Sequence, residues 1–343
     1  MENQKSFEIN YAMLSLFQYI FAVLVILLHS QRIFENDWMH FIQKSIFSRM
    51  AVPFFIVSTS FFIQLNTSTG KSNLVNYLSS SLRVYLFLSL LYLPYAFFFF
   101  VRLGYSPFLL PFATLFALFY SGTAYHLWYF PALFLGLLIV DFLKKQFSSR
   151  LTFFICLLLF LIGSIETYSG YLKDSCLIQF YNLYRDFFFT SRNGFFFVPI
   201  FVYLGQLVYS KKDYPFLNSY PITKLILSFV LFLIEAYFIF LNQGYDKNFF
   251  YTLIPFTLFL FNWVIRSSLF TNKKWYKLKL FSIYYFFYHP IFIELGFLFV
   301  HQYQLENWQN GILVASFTLI MTHCVSLALY KKNRKKSLGQ KDF

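Results

Sequence analysis

The chain has 343 residues, of which 58% are hydrophobic, 25% are aromatic and only 12% are charged. A soluble domain of this length needs about twice that charged fraction to cover its surface, so the composition excludes an ordinary soluble protein. The net charge of +14 raises the question of nucleic-acid binding. Lys and Arg, however, concentrate in short loops and in the tail 331–343, as in cytoplasmic loops beside anionic lipid. The three cysteines lie on separate segments without a CxxC spacing, and therefore predict neither a disulfide framework nor a metal site.

Apolar runs of about 20 residues recur along the chain, which is the length that an α-helix needs to cross a hydrocarbon core. The first run has only Lys5 as a basic residue ahead of it and lacks a small-residue cleavage site, so we expect a retained helix rather than a signal peptide. Counting Lys and Arg in each loop predicts that both termini are cytoplasmic. The expected fold is an all-α, polytopic bundle of about ten transmembrane helices in a single membrane domain, 1–343. The predicted spans are 11–30, 47–65, 84–101, 127–141, 151–165, 194–209, 223–242, 248–265, 279–300 and 311–330.

The apolar stretch 107–120 does not fit this count. It is short, it contains Pro107 and Pro111, and the loops on both of its sides are predicted to be outside. We therefore expect a re-entrant or interfacial segment. A rival topology treats the stretch as a further crossing and the N-terminus as external, but it would place Lys71 outside.

Several ionisable side chains fall inside or at the ends of the predicted spans. Such groups are costly at membrane depth, and they are therefore functional candidates. The predicted topology places His29, His126, His289, Arg49 and Arg192 in the outer half of the bundle. Imidazole can take a proton from a hydroxyl, and guanidinium can hold an anion or a developing negative charge. The set indicates acid–base chemistry on the outer side.

Some of these side chains also have a structural explanation, which the sequence leaves open. His126 can act as an interfacial anchor, and His289 can donate to a carbonyl that Pro290 frees. Glu235, in the middle of a predicted span, can be hydrogen-bonded within the bundle. His323 has no polar partner nearby in the sequence, and we expect it to be structural or solvated.

In their order along the chain these residues resemble the membrane-bound acyltransferase 3 family. His29 matches the histidine of that family's first helix, and Gln18 stands where an arginine is usual. The other motifs that resemble the family are Pro53-Phe54-Phe55 with Ser58, His126-Leu127-Trp128, Arg192 with Phe196 and Pro199, and Ser282 to His289-Pro290. Each motif alone is degenerate, but the ordered set covers nearly the whole chain.

The resemblance implies a membrane O-acyltransferase of the bacterial cytoplasmic membrane. Such an enzyme moves an acetyl group from cytoplasmic acetyl-CoA to a hydroxyl of a cell-surface or lipid-linked glycan. The resemblance implies His29 as the catalytic base and Arg83 as the residue that binds the acyl-CoA donor. The implied acceptor-side or supporting residues are Arg49, Ser58, His126, Trp128, Arg192 and His289. Acetyl-CoA is then a co-substrate, the glycan and the lipid bilayer are partners, and no metal or permanently bound cofactor is expected.

The second predicted helix gives an alternative. Within the family, its sequence from Arg49 to Phe55 is most similar to the membrane half of vancomycin-resistance serine racemases. That half is associated with serine supply. Before the third helix, the basic pair common in the family is reduced to Arg83, with Ser79 and Ser80 ahead of it. The alternative is therefore a membrane transporter or flippase, for serine or a lipid-linked sugar, without acyl transfer. A membrane assembly factor without chemistry is a third hypothesis.

Overall fold

The computed structural model describes residues 8–104, 106–173, 175–303 and 305–339, with side chains as far as residue 334. Every regular element in these ranges is helical, which confirms the predicted all-α fold. The α-helices are α1 (Tyr11–His29), α2 (Asp37–Phe41), α3 (Ala51–Ser68), α4 (Leu74–Leu91), α5 (Leu93–Arg102), α6 (Leu110–Phe116), α7 (Tyr129–Gln146), α8 (Ser149–Gly163), α9 (Ile165–Tyr168), α10 (Cys176–Phe188), α11 (Val198–Ser210), α12 (Pro215–Asn218), α13 (Pro221–Leu241), α14 (Leu253–Arg266), α15 (Tyr276–Val300) and α16 (Asn307–Gly339). The predicted basic tail 331–343 begins in α16, and its last four residues lie outside the described ranges.

Seven helices in the described part of the chain are long and apolar enough to cross a membrane. They are Tyr11–His29, Asp37–Ser68, Leu74–Leu91, Ser149–Tyr168, Pro221–Leu241, Tyr276–Val300 and Asn307–Arg334. Helix α13 shows why water does not suit them, since it exposes Ile226, Leu227 and Phe238 by 58%, 59% and 55%. Apolar surface on this scale is compatible with lipid rather than water. The chain is a polytopic helical membrane protein.

The difference between about ten predicted spans and seven long helices is a difference in helix length. Four further apolar helices, Leu93–Arg102, Pro107–Ser121, Val198–Ser210 and Leu253–Arg266, have only 10–15 residues. At roughly 1.5 Å per residue they reach about 22 Å at most, short of a hydrocarbon core of roughly 30 Å. Helix α7 is longer but has Lys144 and Lys145 in its last turn. The predicted span 84–101 is divided between α4 and α5 at Tyr92, just ahead of Pro94, which has no N–H to continue a helix.

The stretch predicted to be re-entrant or interfacial is a short helix whose winding changes along its length. It begins as a 3-10 helix at Pro107–Leu109, continues as α6 and ends as a π-helix at Ala117–Ser121. Its two prolines occupy first turns, where a missing N–H costs no hydrogen bond. Gly122 then ends it with a φ of +77°, a conformation that favours glycine. Its placement relative to the membrane stays a prediction.

The chain divides by internal packing into two compact units. The first unit comprises Met1–Val52 and Leu260–Phe343. Within it, α15 packs against both α1 and α16. The buried side chains at this packing surface are Ala22, Ile26, Phe281 and Tyr285. This core positions the polar residues of α1 and α15 described below.

The second unit comprises Pro53–Phe259, and α11 packs there against α7 and α8. Glycines permit two close approaches in this unit: a Cβ on Gly194, just ahead of α11, would lie 2.4 Å from the Ala132 carbonyl oxygen in α7, and one on Gly205 in α11 would lie 2.4 Å from the Val57 carbonyl oxygen in α3. Aromatic rings fill the centre, with neighbouring centroids 5.0–6.0 Å apart. These rings belong to Phe160, Phe197, Phe201 and Phe249. The sequence predicts a single membrane domain, and that remains a prediction, since the division into two units describes only internal packing.

Cys176 offers a test of the predicted sidedness. It begins α10, it is exposed, and it lies in the loop 166–193 that the Lys and Arg count places outside. A membrane-impermeant maleimide added to intact cells should label it, because such a reagent reaches exposed thiols in the external water and not thiols within the protein or the lipid. Cys156 is buried and Cys324 lies within the apolar α16, so Cys176→Ser should abolish the labelling. Labelling that needs lysed cells would reverse the predicted topology.

Candidate functional site

The first unit brings two of the candidate histidines together. His29 is the last residue of α1, and His289 lies in α15 with 0% exposure. Their rings are stacked, with centroids 5.7 Å apart and planes inclined by 26°. Because an imidazole can hold or pass on a proton, the pair is a candidate acid–base group on apolar helices.

The tautomer of His289 follows from its hydrogen bonds. Its Nδ1 lies 2.8 Å from the Tyr285 carbonyl oxygen and 3.1 Å from that of Phe286. Carbonyl oxygens only accept, so Nδ1 carries a proton, and Nε2 holds the lone pair of the neutral ring. Pro290 cannot donate to Phe286, and His289 donates in its place. His289 therefore forms the hydrogen bond expected beside Pro290, and it also contacts His29.

His323 is hydrogen-bonded to the same helix α15, although it has no polar partner nearby in the sequence. The Tyr285 hydroxyl lies 2.8 Å from Nδ1 of His323 and 3.2 Å from the Tyr19 hydroxyl. His323 and Tyr19 are 38 and 266 residues away from Tyr285 along the chain, so local spacing cannot reveal these contacts. The only signal was an ionisable residue in an apolar helix.

Arg49 also lies in the first unit. It occupies the 3-10 segment Ser48–Met50, which follows a π-helix at Ile42–Phe47 and leads into α3. Such changes of winding within a helix often mark functional or strained positions. The partly buried guanidinium of Arg49 stays a candidate on that basis.

In the second unit, Arg192 and Trp128 are in contact. The Cζ atom of Arg192 lies 4.6 Å from the centroid of the Trp128 ring, which is a cation–π distance. A guanidinium held over an aromatic face can still bind an anion at its edge. His126, only 3% exposed, packs edge-to-face on Tyr92 with centroids 4.9 Å apart.

A buried carboxylate that the sequence analysis passed over fixes the backbone around Arg192. Glu166 is 3% exposed, and its Oε2 accepts from Thr190 Oγ1 at 2.9 Å, from the Ser191 N–H at 2.9 Å and from Ser191 Oγ at 2.6 Å. Thr190 Oγ1 in turn accepts from the backbone N–H of Arg192 at 3.0 Å. Glu166 thereby sets where the Arg192 side chain begins.

The next residue, Asn193, is held by two phenols. Its Nδ2 donates to the hydroxyls of Tyr120 and Tyr184, each at 2.8 Å. Burial is the main cause that raises the pKa of Tyr184 above its ordinary value, so its hydroxyl stays protonated. The Tyr120 hydroxyl donates to the Thr190 carbonyl oxygen at 2.7 Å, which closes the network.

Glu235 is hydrogen-bonded within the second unit, which was the structural explanation considered for this residue. Both of its oxygens accept: Oε1 from the Tyr168 hydroxyl and the Tyr251 N–H, and Oε2 from the Thr252 N–H at 2.8 Å and the Thr252 hydroxyl. Tyr251 and Thr252 directly precede α14, whose first N–H groups have no partner within the helix. Glu235 therefore has a structural role as the cap of a neighbouring helix.

The two remaining candidates do not join the Arg192–Trp128 contact. Ser58 is buried in α3, and Arg83 is exposed on α4. Among the described residues, neither side chain forms a hydrogen bond or ion pair with Arg192 or His126. Within the same ranges, no group of three or more His, Cys, Asp or Glu side chains is arranged to hold a metal ion.

The structure is that of a helical membrane protein with a stacked histidine pair in one unit and an Arg192–Trp128 contact in the other. No family model matches the chain, and no solved structure matches it. It is 29% identical over 320 residues to a serine/alanine racemase of Enterococcus gallinarum, covering 89% of this chain and 44% of that protein. It is 33% identical over 216 residues to an amino-acid racemase of Enterococcus faecalis, covering 60% of this chain and 30% of that protein. The chain spans less than half the length of these relatives.

These comparisons overturn the acyltransferase interpretation. The similar proteins are named racemases, which are isomerases, so acyl transfer, acetyl-CoA as co-substrate, an acyl-CoA donor and a glycan acceptor were wrong expectations. The transporter or flippase alternative does not match these names either. The physical reason is that each motif was one polar residue among apolar letters, which unrelated membrane helices share. The acyl-transfer roles of His29 and Arg83 fall with the interpretation, and the side chains themselves stay candidates.

Proposed function

We propose that this chain is the membrane-embedded part of an amino-acid racemase system, and that it binds a small neutral amino acid such as serine or alanine. The observation that carries the proposal is the similarity to a serine/alanine racemase over 89% of the chain. An alignment of that extent includes most of the apolar helices, so the shared part is the membrane part. The amino acids in the relative's name are the substrates that this part would meet.

The proposal assigns binding to these helices and does not assign racemisation. Inversion of an α-carbon needs an acid and a base on opposite faces of that carbon. The rings of His29 and His289 are the stacked imidazole pair of the first unit, with centroids 5.7 Å apart. A carbon atom between two rings needs about 7 Å, because each contact takes about 3.5 Å. The stacked pair therefore cannot enclose a reacting carbon.

We infer that the location is the cytoplasmic membrane of a bacterium, with several crossings. Seven helices of the described part have the length and composition of spans, and the relatives come from Enterococcus. The cytoplasmic side proposed for both termini rests on the distribution of Lys and Arg.

Thermal unfolding of the purified protein in lipid nanodiscs tests the proposed binding. A ligand that binds only the folded state at 100 times its Kd stabilises that state by about 2.7 kcal/mol, which raises the melting temperature by about 3 °C in a chain of this size. We expect L-serine or L-alanine to produce this increase and L-glutamate at the same concentration to produce none. An equal increase with glutamate, or no increase with either amino acid, would overturn the proposal.

A further inference from the structure

A surface pocket of the first unit lies where the segment after α1 meets the start of α16. Its volume is about 400 Å³. The lining residues are Arg32, Glu35, Leu305, Glu306, Asn307 and Trp308. The pocket therefore has one guanidinium, two carboxylates and an indole around a volume within the usual range for small-molecule sites.

Arg32 is held in place by its own loop. Its Nε donates to the Phe34 carbonyl oxygen at 2.8 Å, and its Nη2 donates to the Glu35 carbonyl oxygen and to Asp37 Oδ1, the latter at 2.6 Å. Its Nη1 makes no hydrogen bond within the described part of the chain. One edge of a fixed guanidinium thus remains for a carboxylate.

The opposite charge comes from Glu306 and Glu35. The indole Nε1 of Trp308 donates to Glu306 Oε2 at 2.6 Å, which holds the aromatic ring beside the carboxylate. An aromatic face together with a carboxylate is a receptor for an ammonium group. Asp37 already balances Arg32, so the carboxylates of Glu35 and Glu306 favour a cationic group and disfavour a second anionic one.

The backbone shows that the two sides of the pocket are packed together. A Cβ on Gly311 would lie 1.8 Å from the Arg32 carbonyl oxygen and 3.1 Å from that of Ser30. Only glycine permits this approach of the loop to the first turns of α16. Main-chain contact therefore fixes the loop after α1 against the start of α16, the two segments that line the pocket.

We propose that this pocket binds the two charged groups of a free α-amino acid whose side chain is small and uncharged. The ammonium group lies between Glu35 and Glu306 on the Trp308 face, and the carboxylate lies on the free edge of Arg32. A dicarboxylic amino acid is disfavoured by the two glutamates. This assignment rests on the proposed function, and it gives the amino acid a place on the chain.

Binding of radiolabelled L-serine to the full chain in nanodiscs tests the assignment. The double substitution Glu35→Gln with Glu306→Gln removes both charges at nearly constant shape, and we expect it to weaken binding at least about tenfold through loss of charge-assisted hydrogen bonds. The matched control is Asp213→Asn, an exposed acid in the second unit, which should leave the affinity unchanged. The melting temperature of each variant without ligand shows that it is folded.

Competition identifies the ligand chemistry. Ethanolamine lacks the carboxylate and lactate lacks the ammonium, so each should compete at least about tenfold more weakly than L-alanine. If the wild type binds no serine, the proposed function is wrong. If the wild type binds serine and the double variant binds it equally well, only the assignment to this pocket is wrong. If phosphoethanolamine competes better than L-alanine, the pocket takes a lipid headgroup, and the amino-acid assignment is overturned.

Discussion

Glu235→Gln is expected to lower the free energy of unfolding by about 3 kcal/mol, even though the two side chains have nearly the same shape. Both carboxylate oxygens accept hydrogen bonds, from donors on Tyr168, Tyr251 and Thr252. Glutamine keeps one oxygen and places an NH₂ group where the other oxygen was. The hydroxyl of Tyr168 or Thr252 can turn to accept from that NH₂ group, but the backbone N–H of Tyr251 or Thr252 then faces a donor. A donor left without its acceptor costs about 1–3 kcal/mol, and hydrogen bonds to a charged group are at the upper end of that range. The measurement is denaturant unfolding of the reconstituted protein.

Glu166→Gln is the matched control for this prediction. Glu166 is a buried carboxylate in the same unit, but all of its hydrogen bonds go to Oε2. An amide oxygen at that position can accept the same bonds, so we expect a loss below about 1 kcal/mol. Equal losses for the two variants would show that charge, and not the number of accepting oxygens, determines the effect.

Gly311→Ala is expected to destabilise the first unit by about 3 kcal/mol, the upper part of the range for overpacking a close contact. The added Cβ would lie 1.8 Å from the Arg32 carbonyl oxygen, a main-chain atom that cannot turn away as a side chain does. Either α16 or the loop after α1 must move. Thermal unfolding in nanodiscs measures the loss, and we expect a melting temperature several degrees below that of the wild type.

Gly296→Ala is the corresponding control in α15. The two atoms nearest to its added Cβ would be side-chain atoms of Val314 and Phe317, at 3.3 and 3.4 Å. Alanine also favours a helix over glycine by about 1 kcal/mol, which offsets a tight contact. We expect a change within about 1 kcal/mol of zero. If Gly311→Ala were as stable as Gly296→Ala, the loop could not lie against α16 as described.

The helical membrane fold was predictable because length and hydropathy act locally. A run such as Pro221–Leu241 contains its own evidence, since 21 mostly apolar residues satisfy their backbone hydrogen bonds only as a helix in lipid. Helix ends were predicted within a few residues at α1 and less well at α4 and α5, where Pro94 divides the span. Apolar helices of 10–15 residues such as α11 and α14 resemble spans on composition alone, and only their length separates them from the seven long helices.

The polar contacts were only partly predictable. His29 and His289 were singled out because ionisable groups at membrane depth are costly, and they are in contact. Spacing along the chain could not show that Glu235 caps α14, or that His323 meets Tyr285, because these pairs form only when helices pack. The function inferred from motifs was wrong for a related reason: degenerate apolar motifs report that a helix enters lipid and do not identify the reaction.

The pairing of His289 with Pro290 has a consequence for hydration. A proline in the middle of a helix leaves one carbonyl dipole exposed, and in a soluble protein a water molecule commonly satisfies it. Here the imidazole N–H of His289 meets the Phe286 carbonyl oxygen at 3.1 Å, so α15 contains its own substitute for that water. The proline can therefore lie inside an apolar helix without drawing a solvent molecule to that depth. The histidine directly ahead of the proline thus takes the place of a solvent molecule in this part of the helix.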